Sequence, residues 1–504
     1  MDWRLQLALI LIVAIVLRLL FFVGFGLGDD HTYVDYAAQI LNGRYPPLDP
    51  VNQYAFRPLL LYLFAGGIRA FGYTDLGVVS PVLASSIVTA ALIVILVRTL
   101  ISAEAAWWCG LLFAFEPLNV IDATTMTSDV ILACFVFASF GLVLMAERHR
   151  SGATSALLSI AAGAVMVGAF LVKITILPAL LSLGVYSLAM WAAGRVSIRS
   201  HVVFYATFAL GFACICGVYY LKKGDFFWQF RSELYYYSAP GPSPDPPALL
   251  DYRALLMEYP RSLFGRTGYE RFKYFEHGLL FWLFVPSCIW LLARARNAAT
   301  SFFIVSTVVT FSFFEFYPQQ VTPHLVLLGR QSRYLELIVP GAAVIVGTAL
   351  HRLSTTRRAL GVATLCLVLG HSTLEAMRRH TQYADSQRDV RELARFAAET
   401  VVPAGKCLAI DEPAHRALGF YLRGAAIRFK VIRSIQPEEL GDCYVALGGA
   451  RSFWWSHDEV VDITDDRVPT DWRLVYRLPW RKQPWRLSAL RVYYVPPPES
   501  RSSR

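Results

Sequence analysis
Apolar residues run along this chain in stretches far longer than an amphipathic helix needs. Leu5 to Leu17 and Val78 to Val97 are two of them, and about 20 such residues cross a bilayer core. The pattern predicts eleven membrane helices, at 5–26, 78–97, 105–121, 126–146, 154–172, 176–193, 202–221, 277–293, 299–316, 334–351 and 359–373. With the N-terminus in the cytoplasm, every second short loop is basic: Arg98, then Arg148 and Arg150, then Arg195 and Arg199, then Arg294 and Arg296, then Arg352, Arg357 and Arg358. Cytoplasmic loops carry that bias.

Three longer segments then fall on the extracytoplasmic side: 28–77, 222–276, and everything after about residue 372. In the first, the stretches Tyr33–Leu41 and Leu59–Phe71 have helical periodicity with polar interruptions. They read as amphipathic helices lying at the interface. The second is rich in Tyr and Pro (Tyr235 to Tyr237, Pro240 to Pro247). It reads as an irregular loop, either a solvated connector or an aromatic lid facing a substrate. The third alternates helix-like and strand-like stretches: 390–401, Cys407 to Ile410, Pro413 to Tyr421, Phe429 to Ile432 and Cys443 to Leu447. That alternation suggests a small α/β domain. The expected organisation is a membrane domain over 1–375, an α/β domain over 376–495 and a disordered tail over 496–504.

Composition sharpens this only in places. The chain is 56% hydrophobic over 504 residues, with a mean hydropathy of +0.45. Its net charge of +10 needs no nucleic acid, because much of it lies in short loops. Forty of the 47 basic residues are Arg, which we read as composition bias. The first apolar run lacks a small-residue cleavage site before Asp29 and reads as a retained helix. Of eight cysteines, six lie in apolar runs; Cys407 and Cys443 lie in the last domain, where an oxidising compartment would let them pair. No Cys or His spacing suggests zinc.

Charge placement separates function classes. An ion-coupled transporter needs ionisable groups near the midplane; here the conspicuous polar groups gather at the extracytoplasmic helix ends. Asp29 and Asp30, followed by His31, Thr32 and Tyr33, come directly after the first helix. Paired carboxylates there can deprotonate a nucleophile or hold a metal, or simply cap a helix. Arg57 precedes Pro58, which suits a helix start; lipid headgroups are its ordinary partner. Asp129, after Thr127 and Ser128, begins the fourth helix, and capping is its ordinary role. Arg330, Arg333 and Tyr334 precede the tenth helix, and two Arg on the non-cytoplasmic side invite a phosphate. Lys173, at a turn on that side, snorkels in the ordinary reading. Arg18 lies inside the first helix, and a partner is expected among the carboxylates of the first loop.

Taken together, these pieces resemble the GT-C superfamily of membrane glycosyltransferases. The similarity is greatest to the branch holding protein O-mannosyltransferases, the lipid A aminoarabinose transferase and the rhizobial galacturonosyl transferases. It rests on Asp29-Asp30-His31-Thr32-Tyr33, the following Ala-Ala-Gln-Ile-Leu-Asn-Gly, Phe56-Arg57-Pro58-Leu59-Leu60, Asp129, Lys173 and Arg333-Tyr334-Leu335, over roughly residues 1–350. Two positions depart from the family pattern: Asp30 stands where Glu is frequent, and Arg57-Pro58 where Lys-Pro is.

The resemblance implies an all-α polytopic fold and an inverting transfer, hexosyl or pentosyl, from a polyprenyl-phosphate sugar to a lipid, glycan or protein hydroxyl. Asp29 would be the base, with Asp30 and Asp129 beside it. Arg57, Lys173, Arg330, Arg333, Tyr33 and Tyr334 would bind the donor phosphate. No cofactor is expected, with a divalent metal at the acidic pair left open. The expected setting is the extracytoplasmic face of a bacterial inner membrane. A transporter or flippase of lipid-linked sugars, a polysaccharide polymerase or ligase, and a non-catalytic scaffold are the competing readings.

Overall fold
A computed structural model describes residues 2–26, 29–48, 53–149, 152–232, 256, 258–264, 266–267, 273–274, 276–294, 297–316, 318–320, 326–327, 332–410, 412–432, 440–450, 468–478 and 486–497. Arg330, the Tyr- and Pro-rich stretch 235–247 and nearly all of the expected tail lie outside these residues.

Each of the eleven apolar stretches contains helix, although the first, expected over 5–26, ends at Leu20. Among the described residues, eight helices are long and apolar enough to cross a membrane. They are α1 (Trp3–Leu20), α4 (Asp75–Leu100), α7 (Ser128–Arg148), α8 (Ala153–Val172), α9 (Leu177–Ala192, with the short turn Ile174–Ile176 before it), α10 (Ile198–Lys223), α13 (Ala298–Phe316) and α15 (Arg358–Phe396, apolar as far as Thr381). The other three stretches hold α5 (Ala105–Ala114) with α6 (Pro117–Asp122), α12 (Leu280–Arg294), and α14 (Val339–Thr356) after the 3-10 turn Ser332–Leu337. The chain is thus a multi-pass membrane protein. Its outward faces carry Leu20, Leu157, Leu188, Leu210, Leu221 and Ile289, a surface that suits lipid and not water.

Where sequence periodicity runs 105–121 into one helix, the structure breaks it. Pro117 disfavours helical geometry at the residue before it, and Glu116 is extended (ψ 119°) with its side chain accepting the Asn119 N–H. Inside the bundle, small residues set the spacing: a Cβ on Gly347 of α14 would lie 2.7 Å from the Cys109 Cα on α5. Such close approach is a common way for membrane helices to pack.

Both stretches expected to be helical in the first long segment form helices. In α2 (Asp30–Leu41), Tyr33, Val34, Ala37 and Ala38 are buried, one face at helical spacing. That face meets α3 (Pro58–Phe71), whose first residue is the proline. A short helix, α11 (Glu258–Phe264), precedes α12.

One 39-residue helix, α15, carries the chain out of the bundle. Beyond it stands a five-stranded sheet: β1 (Cys407–Ile410), β2 (Arg428–Val431), β3 (Cys443–Ala450), β4 (Arg473–Arg477) and β5 (Arg486–Val495), in the order β2-β1-β3-β5-β4. β1 is parallel to β2 and β3, and β5 is antiparallel to β3 and β4. Helix α16 (Glu412–Tyr421) links β1 to β2. Cys407 and Cys443 face each other across β1 and β3 and are disulfide-bonded, with the Lys406–Asp442 ion pair beside them.

Candidate active site
The carboxylates do not cap their helices. Asp29 is the N-cap residue of α2 yet makes no side-chain cap bond. Its Oδ1 accepts from Tyr54 Oη at 2.7 Å, and its Oδ2 accepts from Arg333 Nη2 at 3.4 Å. At the start of α7 the cap is Thr127, whose hydroxyl accepts the Asp129 N–H. The Asp129 carboxylate is thereby released to pair with Lys173 Nζ at 2.7 Å and to approach Arg333 Nε at 3.8 Å. Arg333 thus bridges Asp29 and Asp129. Lys173 and Asp129 are both deeply buried, their side chains 6% and 1% exposed. Asp29 and Arg333 keep about a third of their surface, 34% and 31%, so a ligand reaches the network from their side.

Arg57 completes it. Its Nη1 donates to the Tyr33 hydroxyl, and its guanidinium stands 5.3 Å from the Tyr54 ring centre. Tyr33 and Tyr54 meet edge to face at 5.3 Å. On the other side, Lys173 Nζ lies 4.4 Å above the Tyr334 ring, which stacks on Phe314. Neither Arg57, 7% exposed, nor Lys173, 5% exposed, has the exposed head of a snorkelling side chain.

Burial and neighbouring charges set the protonation. Burial pushes the Lys173 ammonium down to about 8, although Asp129 opposes the shift. Burial also pushes the Asp30 carboxyl up to about 6. Burial alone would lower Arg333, but Asp129 and Asp29 together hold it above its ordinary value. Burial and then Asp29 raise Tyr54, which keeps its proton to donate. The Asp30 Oδ2 accepts the Gly26 N–H at 2.7 Å, and Arg333 acts on this carboxyl through its charge.

The structure therefore brings together Asp29, Asp129, Arg57, Lys173, Arg333, Tyr33 and Tyr334, drawn from α2, α3, α7, the α8–α9 turn and the turn before α14. Sequence reasoning missed Tyr54. It stands three residues before Arg57 in the turn Gln53–Phe56, and a loop tyrosine violates no local pattern. Arg18 is a correction. Among the described residues no first-loop carboxylate pairs with it, and Asp29 and Asp30 turn to other partners. It is fully buried and donates to Ser86 Oγ (2.8 Å), Asn119 Oδ1 (2.7 Å) and the carbonyls of Ala14 and Ala114. Asn119 in turn bonds Glu336 and Glu116, and Glu116 bonds His277. Glu116, Asn119, His277 and Glu336 lie at helix ends or in the turns beside them, whereas Ser86 lies well inside α4. A small cavity of about 10 Å³ lies between α7, α9, α13 and α14, lined by Phe137, Phe140, Phe303 and Leu337 among others.

Known proteins share this architecture. Residues 55–220, which include Arg57, Asp129 and Lys173, match the model of the dolichyl-phosphate-mannose-protein mannosyltransferase family. No curated protein matches the chain. The structure is similar to apo ArnT from Cupriavidus metallidurans, with a TM-score of 0.58 and 15% identity over 96% of this chain and 97% of that one. It is similar to the same protein bound to undecaprenyl phosphate, with a TM-score of 0.59. It is also similar to the oligosaccharyltransferase AglB from Archaeoglobus fulgidus in complex with an inhibitory peptide and a dolichol-phosphate. That match has a TM-score of 0.54 and 12% identity, covering 83% of this chain and 63% of that one. At such identities the likeness is one of fold, and the resemblance seen in the motifs holds at that level: this chain has the fold of the GT-C membrane glycosyltransferases.

Proposed function
We propose that the protein is an inverting glycosyltransferase that moves a sugar from a polyprenyl-phosphate carrier to an acceptor hydroxyl. The observation that carries this reading is the charge count of one connected site. Three cations, Arg57, Lys173 and Arg333, stand against two carboxylates, Asp29 and Asp129, in a partly buried place at helix ends. That excess of positive charge suits one phosphate. Both lipid phosphates found in the structural neighbours have that chemistry.

In this scheme Asp29, the accessible carboxylate, takes the proton of the acceptor hydroxyl. The freed oxygen attacks the anomeric carbon opposite the phosphate. The bond from that carbon to the phosphate oxygen breaks, and its electron pair leaves on the polyprenyl phosphate. Arg57, Lys173 and Arg333 stabilise that charge as it develops. Asp129 holds Lys173 and Arg333 in place, and Tyr33 and Tyr54 orient Arg57 and Asp29.

The reading places the site on the extracytoplasmic face of a bacterial inner membrane. Two independent features support this: the basic loops of the opposite side, and the Cys407–Cys443 disulfide, since disulfides persist in oxidising compartments. The domain that carries the disulfide packs against α2, at the same end as the site.

The test is Asp29→Asn in purified protein supplied with polyprenyl-phosphate sugars. General-base removal should cost on the order of 10²–10⁴ in turnover, while thermal stability stays near the parent value because the Asp29 side chain makes no cap bond and its pair with Arg333 is partly exposed. Near-normal turnover, or transfer from a soluble nucleotide sugar without any lipid carrier, would overturn the reading.

A further inference from the structure
The segment Phe22–Gly26 joins α1 to the stretch that bears Asp29, and four consecutive N–H groups within it are held from outside. Val23 N–H donates to Thr124 Oγ1 (3.2 Å) and Gly24 N–H to the Thr124 carbonyl (2.8 Å). Phe25 N–H donates to Asp75 Oδ1 (2.8 Å) and Gly26 N–H to Asp30 Oδ2 (2.7 Å). Its carbonyls are held by α15: Phe22 O meets His380 Nε2 at 3.2 Å, and Val23 O accepts from Arg391 Nη2.

The contacts converge on one knot. Arg391 pairs with Asp75 Oδ2 at 3.3 Å and donates to the Tyr421 hydroxyl at 3.3 Å; that hydroxyl donates to Asp75 Oδ1 at 3.1 Å. The Phe25 ring stacks on Phe420 with centres 4.1 Å apart. Gly24 adopts φ +92°, and a Cβ there would lie 2.6 Å from Arg391 Nη2 and 2.7 Å from Asp75 Oδ1. Any other residue there would have to push back the ends of Arg391 and Asp75 and hold a left-handed backbone. Arg391 belongs to the outer part of α15, and Phe420 and Tyr421 to α16, so every grip except those of Thr124, Asp75 and Asp30 comes from the C-terminal part of the chain.

We infer that the C-terminal domain sets the position of the base: Arg391, Phe420 and Tyr421 are positioning residues that act on Asp29 through the backbone of Phe22–Gly26. The inference rests on the role proposed for Asp29. A carboxylate must stand within hydrogen-bond reach of the hydroxyl it deprotonates, and a misplacement of about 1 Å can cost about a hundredfold in rate. The donor phosphate is held by other elements, so the clamp governs turnover and leaves donor affinity alone.

The test uses the full chain with Tyr421→Phe, which removes one hydroxyl, and with Arg391→Ala. Amide hydrogen exchange at residues 23–26 is read together with kcat and the donor KM. Expected are faster exchange at these amides in both variants, a kcat about ten- to a hundredfold lower, and an unchanged donor KM. Unchanged exchange would overturn the clamp. So would faster exchange with unchanged kcat, or a loss confined to donor KM. Should Arg391→Ala not fold, Tyr421→Phe decides alone. Exchange is independent of activity: parent protein that transfers no sugar would refute the proposed reaction, while the exchange arm would still decide whether the C-terminal domain holds this segment.

Discussion

Replacing Lys173 by Met separates what the Lys173–Asp129 pair does for folding from what it does for transfer. The pair is 2.7 Å long and almost wholly buried. Removing one member of such a pair strands the other charge, at a cost of about 3–5 kcal/mol. Arg333 Nε remains 3.8 Å from Asp129, so the loss should sit near the lower end, about 3 kcal/mol. Adding Asp129→Asn removes the stranded charge, and most of the stability should return. Turnover should behave differently. A charge-assisted contact to phosphate contributes about 1.5–3 kcal/mol, and each 1.36 kcal/mol is tenfold in rate. Lys173→Met should therefore lose roughly ten- to 150-fold in kcat/KM for the donor, and the double variant should recover none of it. Thermal unfolding in detergent and transfer from a polyprenyl-phosphate sugar give the two readouts. A double variant that regains turnover along with stability would show that Lys173 serves only the fold.

Transfer should fall as pH rises through about 8, where Lys173 gives up its proton, and Lys173→Arg should remove that limb of the pH–rate profile. The sign for stability is opposite: the unfolded lysine holds its proton to 10.5, so between about 8 and 10.5 this group favours the folded state increasingly. Chelation of divalent metals should leave turnover unchanged, because the site already carries an excess of cations; a loss restored by one metal would move the charge stabilisation from Arg57, Lys173 and Arg333 to that metal. A thiol introduced by Ser502→Cys should react with a membrane-impermeant label from outside the cytoplasm, and protection there would invert the topology.

The helices and the cations were legible in the sequence for related reasons. Hydrophobic runs declare helices at once, and an Arg or Lys on the side where topology supplies no motive stands out against the basic loops. Arg57, Lys173 and Arg333 could be singled out that way, and the structure gathers them. What a carboxylate does was not legible. Asp29 and Asp129 both sit where a capping Asp would sit, and only geometry shows Thr127 doing the capping at α7 and Asp29 turned toward Tyr54 and Arg333. Tyr54 itself, like the partners of Arg18, depends on contacts between segments far apart in sequence. Asn119 meets Arg18 across 101 positions, and no local spacing encodes that. Nor does periodicity announce that the last apolar stretch and the amphipathic stretch at 390 form one continuous helix.

That continuity has a mechanical consequence. With a rise of 1.5 Å per residue, α15 is about 58 Å long, nearly twice the roughly 30 Å of a hydrocarbon core. Its apolar part ends at Thr381, and Arg391 stands about 15 Å farther along. The helix is a lever with its short arm outside the membrane and its grip on Phe22–Gly26. Transmembrane helices meet a bilayer of the wrong thickness by tilting, and a tilt of about 10° would swing Arg391 sideways by about 2.6 Å. The acyl-chain length of the surrounding lipid thereby becomes an input to the geometry of the base. Turnover in reconstituted bilayers should pass through an optimum thickness, and Arg391→Ala, which disconnects the lever, should flatten it.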